Sequence, residues 1–164
     1  MRIYTNIKDW PDRELENLCL AAAKQARVRS RNICIVIRAS ERKHGRAIEC
    51  DRVRYKPYFG DRRWHNTDGG YIIVWTGNRS SKRSDVLRYT EDLFSTLVHE
   101  FAHVRDYQLY DRGKPQRFDY RPRWANRPQE RRAIAAEKAA KERESEYADA
   151  VIEFALALEN EREK

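Results

Sequence analysis

The sequence predicts an α+β fold: an N-terminal helix, a small three-stranded sheet, a helix carrying the chemically informative residues, and a long C-terminal helix. Three observations carry this expectation. Apolar residues recur at three-and-four spacing from Leu15 to Ala26 and again from Leu93 to Val104, as amphipathic helices require. Two short β-branched runs, Ile33 to Ile37 and Tyr71 to Trp75, lie between those helical patterns. The last third, from about Pro128, is rich in Ala, Glu, Lys and Arg and has no later Gly or Pro.

In chain order, Trp10-Pro11-Asp12 reads as a helix entrance, because proline is tolerated in a first turn where its missing N–H has no intrahelical partner. The helix runs to about Arg29, with Leu15, Leu18, Cys19, Ala22 and Ala26 on its apolar side. Ile33 to Ile37 forms the first strand. A weaker alternation from Arg46 to Tyr55 gives the second, and Tyr71 to Trp75 the third after the turn signal Asp68-Gly69-Gly70. Thr90 is placed to cap the next helix, which spans about 90–112 and stops near Gly113 and Pro115. Residues 129–164 then form one helix of about 50 Å, long enough for its distal half to project from a body made of residues 1–128.

Composition narrows the classes. With 164 residues, 37% of them charged, a single domain with a modest core is expected. The longest uncharged apolar run, Leu18 to Ala23, is far below the ~18 residues of a membrane span. The first residues show no apolar signal segment, so the expected location is the cytoplasm, away from membranes. Cys19, Cys34 and Cys50 form no C-x-x-C pair and read as small hydrophobes rather than a disulfide framework or a thiolate metal site. The formal net charge is +8. Residues 129–164 hold 7 basic and 10 acidic side chains, a balance of −3, so the first 128 residues carry +11.

The specific signal is His99-Glu100-Phe101-Ala102-His103. Residues four apart share a helical face, so both imidazoles can present a nitrogen to one ion, and the adjacent Glu100 is close enough to handle its water. Catalytic zinc sites keep three protein ligands and one open position. No histidine follows His103, and Asp106 and Leu109 stand where the longer metzincin signature places Gly and His. The third ligand is therefore expected to be a carboxylate on a second helix. Glu130 is the choice, near the start of the last helix with the small Ala133 one turn on; Glu137, Asp119 or no carboxylate are the alternatives, and whichever of Glu130 and Glu137 is not a ligand can accept a hydrogen bond from a ligand imidazole. Asp106 and Tyr107 lie near the ligand face, and Tyr120 and His65 are candidate donors to a tetrahedral oxyanion.

Here the chain resembles the gluzincins, zinc-dependent peptidases, and specifically their short single-domain forms from bacteria and phages. The likeness covers roughly residues 71–137. It rests on the His99 to His103 motif, Thr96-Leu97-Val98 before it, and Arg127-Pro128-Gln129-Glu130-Arg131-Arg132-Ala133 after it, with Arg105 the departure from a usually hydrophobic position. The resemblance implies one Zn2+ held by His99, His103 and Glu130, with Glu100 as the general base and later acid in peptide-bond hydrolysis. A protein or peptide substrate follows, and the Tyr71 to Trp75 strand could receive it along a sheet edge.

A second reading starts from the charge. Arg62-Arg63-Trp64 and the run Arg117 to Trp124 alternate arginine with aromatics, as single-strand binding surfaces do. A catalytically inactive, metal-stabilised module for nucleic acid or nucleoprotein would use that surface.

Overall fold

The structure, a computed structural model, describes residues 1–5, 7–8, 10–29, 33–39, 48–51, 70–76, 86–111 and 121–161. Four strands and four α-helices lie within them: β1 (Arg2–Thr5), α1 (Asp12–Gln25), β2 (Ile33–Ala39), β3 (Ile48–Asp51), β4 (Gly70–Thr76), α2 (Val86–Asp111), α3 (Pro128–Lys141) and α4 (Ala148–Asn160).

The expected three-stranded sheet is corrected to a four-stranded one in the order β1-β2-β4-β3. β1, β2 and β4 run parallel, and β3 pairs antiparallel with β4, Ile48 opposite Thr76 and Asp51 opposite Ile73. The added strand, Arg-Ile-Tyr-Thr, spans four residues and alternates exposed with half-buried side chains, too short a pattern to read before its partner is known. The α1 connection between β1 and β2 is the crossover that neighbouring parallel strands demand. β4 lies between β2 and β3, so among the described strands β1 and β3 are the edges.

The apolar side of α1 is as read, with Leu15, Leu18, Cys19, Ala22 and Ala26 all buried. They join Ile33, Ile35 and Ile37 of β2, Ile72 and Val74 of β4, and Leu93, Phe94, Leu97, Val98 and Phe101 of α2 in one continuous core. The alternate residues Cys34 and Val36 are only half buried, as strand geometry requires of the opposite face. α1 ends with the Arg27 N–H donating to Lys24 O and the Val28 N–H to Ala23 O, a Schellman closure that places Arg27 at φ 56°.

Three helix boundaries depart from expectation: α1 ends at Gln25 rather than near Arg29, and the other two lie further along the chain. α2 begins at Val86, so Thr90 lies inside it, where its hydroxyl donates back to Val86 O at 2.9 Å instead of capping. The single long C-terminal helix is overturned: α3 stops at Lys141, a short 3-10 turn spans Glu144–Glu146, and α4 starts at Ala148. Neither Gly nor Pro makes this break; tertiary contacts do. Arg143 turns away, donating from Nε to Ala139 O at 3.0 Å and from Nη2 to Gln25 O at 3.3 Å, and Gln25 in turn donates to Glu146 at 3.2 Å. Tyr147 stacks on Phe94 with ring centroids 4.1 Å apart. The bend carries α4 back onto α1 and α2, where Val151 and Phe154 are buried and Phe154 meets Trp10 edge-on at 5.4 Å. One straight rod would leave those side chains in water. No described helix is long and apolar enough to cross a membrane.

Candidate metal centre

α2 is long because it serves two neighbours. Leu93, Phe94, Leu97, Val98, Phe101 and Val104 anchor it in the core, which leaves His99 and His103 on a second face. That face packs against α3, whose buried residues are Gln129, Glu130, Ala133, Ala136 and Ala140. The alanines let the two backbones approach closely enough for the short arm of a glutamate to cross between them.

Glu130 makes that crossing. Its Oε2 stands 3.4 Å from Nε2 of His99 and 3.4 Å from Nε2 of His103. The same oxygen is buried and receives no hydrogen bond, since neither ring N–H is aimed at it. Two imidazole nitrogens and one carboxylate oxygen thus converge on a common point without bonding one another. In a tetrahedral site with ligands at about 2.1 Å, neighbouring donor atoms lie about 3.4 Å apart. The spacing of these donor atoms matches that of three ligands on one small divalent cation, and it equally suits an ion pair between the carboxylate and the imidazoles.

Glu100, next to His99, is itself buried, and ligand-capable atoms of His99, Glu100 and His103 lie within 4.8 Å of one another. This cluster can hold a metal ion.

Glu137, one of the alternative ligands, occupies the other side of His99, with Oε2 3.7 Å from Nδ1. Glu130 and Glu137 thus face opposite nitrogens of one ring. Ser95, a turn before His99, donates its hydroxyl to Glu137 Oε1 at 3.0 Å, and Lys141 lies 3.4 Å from the same oxygen. A carboxylate on Nδ1 fixes the ring's orientation and leaves Nε2 to a metal.

The electrostatics follow from this crowding. Burial pulls the His99 pKa down, but Glu130 and Glu137 outweigh it and, with the Glu100 charge, raise it to about 9. Burial pushes Glu130 up, yet the flanking His103 and His99 win and hold it at about 2. His99 is the main cause that lowers Glu137 to about 2, against burial and with help from Ser95 and Lys141.

Sequence reasoning did not anticipate the role of Trp124. Its ring lies parallel to His99, 18° between planes and 6.0 Å between centroids, while 54% of the residue is exposed. It sits in a 3-10 turn, Trp124–Asn126, that leads directly into Pro128 and α3. The Arg-aromatic run had marked it as a stacking residue without saying on what. Asp106 is buried and meets Arg132 of α3, so it lies at the helix interface and not among the converging donor atoms. Arg105, the departure from the gluzincin pattern, donates from Nη1 to Ala26 O at 3.3 Å, bracing the end of α1. His65, Asp119 and Tyr120 lie outside the described residues, as do Arg62 to Trp64, Arg117 and the side chain of Tyr107.

No protein-family model matches the chain, and no curated protein and no solved structure matches it.

Proposed function

We propose that the chain is a zinc-dependent metallopeptidase of the gluzincin type, with His99, His103 and Glu130 as the three protein ligands and Glu100 as the general base. The observation that carries this reading is the convergence of Glu130 Oε2, buried and without a donor, on both Nε2 atoms at 3.4 Å. Glu137 supports it by standing 3.7 Å from Nδ1 of His99, on the side away from the Nε2 that would ligate.

When bound, zinc supplies Lewis acidity toward a peptide carbonyl and toward water. The remaining work falls to the chain's own groups. Glu100 accepts the proton of the attacking water and returns it to the departing amine nitrogen, the reciprocal role of a positioned carboxylate. It is buried beside His99, which keeps the carboxylate out of bulk water. Trp124 presents an exposed indole face beside His99 and forms a wall for a substrate side chain. β3, the antiparallel edge strand in contact with α2, offers backbone groups to an extended peptide.

The nucleic-acid reading would use the exposed part of the same Trp124, whose ring also lies against His99. Nucleic-acid affinity that falls steeply with salt would favour it.

Metal analysis combined with proteolysis tests the proposal. Purified protein should carry one equivalent of zinc, His99→Ala should lose it, and Glu100→Gln should keep the metal while cleavage of an unfolded protein such as casein disappears. Equal cleavage by wild type and Glu100→Gln would reject the mechanism.

A further inference from the structure

The apolar part of the α3 face that meets α2 is alanine, beside the buried Gln129 and Glu130. Ala133, Ala136 and Ala140 are its buried apolar residues, and no large apolar side chain on α3 is buried. A methyl stripe permits close approach but specifies register poorly, since it has no knob to fill a particular hole. Yet Glu130 has to arrive at one position, equidistant from two imidazoles. Something polar must set where α3 sits along α2.

One polar contact across this seam runs from Arg132 Nε to Asp106 Oδ2, at 2.6 Å. Asp106 lies three residues after His103 and its side chain is 2% exposed; Arg132 lies two residues after Glu130 and is 30% exposed. The other carboxylate oxygen has Arg105 Nη2 at 3.9 Å, and Arg105 is itself held on the end of α1. With Asp106 buried, the cost of taking its charge out of water offsets much of the attraction, so a pair of this kind contributes little net stability, and apolar replacements of similar volume are often neutral or stabilising. Stability therefore does not account for the pair, whereas geometry does.

We infer that the Asp106–Arg132 ion pair fixes the register of α3 on α2 and so positions Glu130 against His99 and His103; these are positioning residues for the metal centre. The inference rests on the metal reading proposed above. The pair acts through Glu130 and touches neither ligand nitrogen. Ser95 and Glu137 tie the same two helices at the other end of the seam.

The test replaces the whole pair, Asp106→Leu with Arg132→Met, so that no buried charge is left alone. Zinc affinity is measured by competition with a chromophoric chelator, and the metal-free proteins are compared by thermal unfolding. The expected result is an unfolding midpoint equal to or above that of wild type, together with zinc binding weakened by about 10-fold or more, the range seen when groups supporting metal ligands are removed. Arg132→Lys should recover part of the loss. If the double replacement does not fold, Arg132→Gln, at a partly exposed side chain, carries the same expectation for zinc. Wild-type affinity in the variants would overturn the positioning role alone. Failure of the wild-type protein to bind zinc would overturn this inference together with the metal reading.

Discussion

α2 makes two kinds of helix contact, and they obey different rules. Toward α1 and α4 it presents Leu93, Phe94, Leu97 and Phe101 to Leu15, Leu18 and Phe154, a seam in which burial of apolar surface supplies stability. Toward α3 it presents His99, His103, Ser95 and Asp106 to Glu130, Glu137 and Arg132 across a floor of alanine. Little apolar area is gained there, and the charged groups cost desolvation. One side of a single helix holds the fold, and the other spends part of that stability on a preorganised donor set.

The contrast can be broken from either side. The largest stability effect is expected at Phe154, fully buried and in edge contact with Trp10. Phe154→Ala should destabilise the protein by about 3–5 kcal/mol in denaturant titration while leaving the zinc affinity of the folded fraction within about twofold. A parallel loss of affinity at temperatures where the variant stays folded would show that the two seams are not separable.

Glu137→Gln probes the opposite side. It keeps the size of the side chain but removes the charge facing His99 Nδ1, so zinc affinity should fall about 10–100-fold with little change in unfolding of the metal-free protein. An unchanged dissociation constant would mean that His99 needs no carboxylate to hold its ring. Trp124→Ala acts further out: KM for a peptide substrate should rise several-fold with kcat less affected, whereas an equal fall in kcat alone would place the indole in the chemistry instead.

The smallest effects test the apolar seam's quiet features. Cys19 is fully buried on α1, and burial raises its thiol pKa, with Glu16 adding to the shift. It should resist alkylation at pH 8 in the folded protein and react once denatured. Arg27→Gly should raise stability by about 0.5–1 kcal/mol, because glycine accepts the positive φ that closes α1 without a Cβ penalty.

What could be read beforehand follows the range of the interactions. The His99-Glu100-x-x-His103 face and the apolar side of α1 depend on helical periodicity, a local property, and the sequence displays both. The separate positions of Glu130 and Glu137 were not legible in that way. Their spacing puts both near one face of α3, and only the packing of α3 against α2 shows that one reaches Nε2 and the other Nδ1. The bend at Arg143 was hidden for the same reason, since its causes, Gln25 and Phe94, lie far away in the chain. β1 needed β2 beside it to become a strand, and the pairing of β4 with both β2 and β3, which leaves β3 as the edge near α2, depends on partners that no single segment displays.

The central claim is that Glu130 completes a zinc site with His99 and His103. Titration of zinc into metal-free wild-type protein and into Glu130→Ala, followed by calorimetry, tests it most directly. The wild type should bind one equivalent, and Glu130→Ala should bind more than about 100-fold more weakly while retaining its fold by circular dichroism, a larger loss than support groups around a metal produce. Equal binding by the two proteins would contradict the assignment of Glu130, and an absence of binding by both would contradict the metal centre itself.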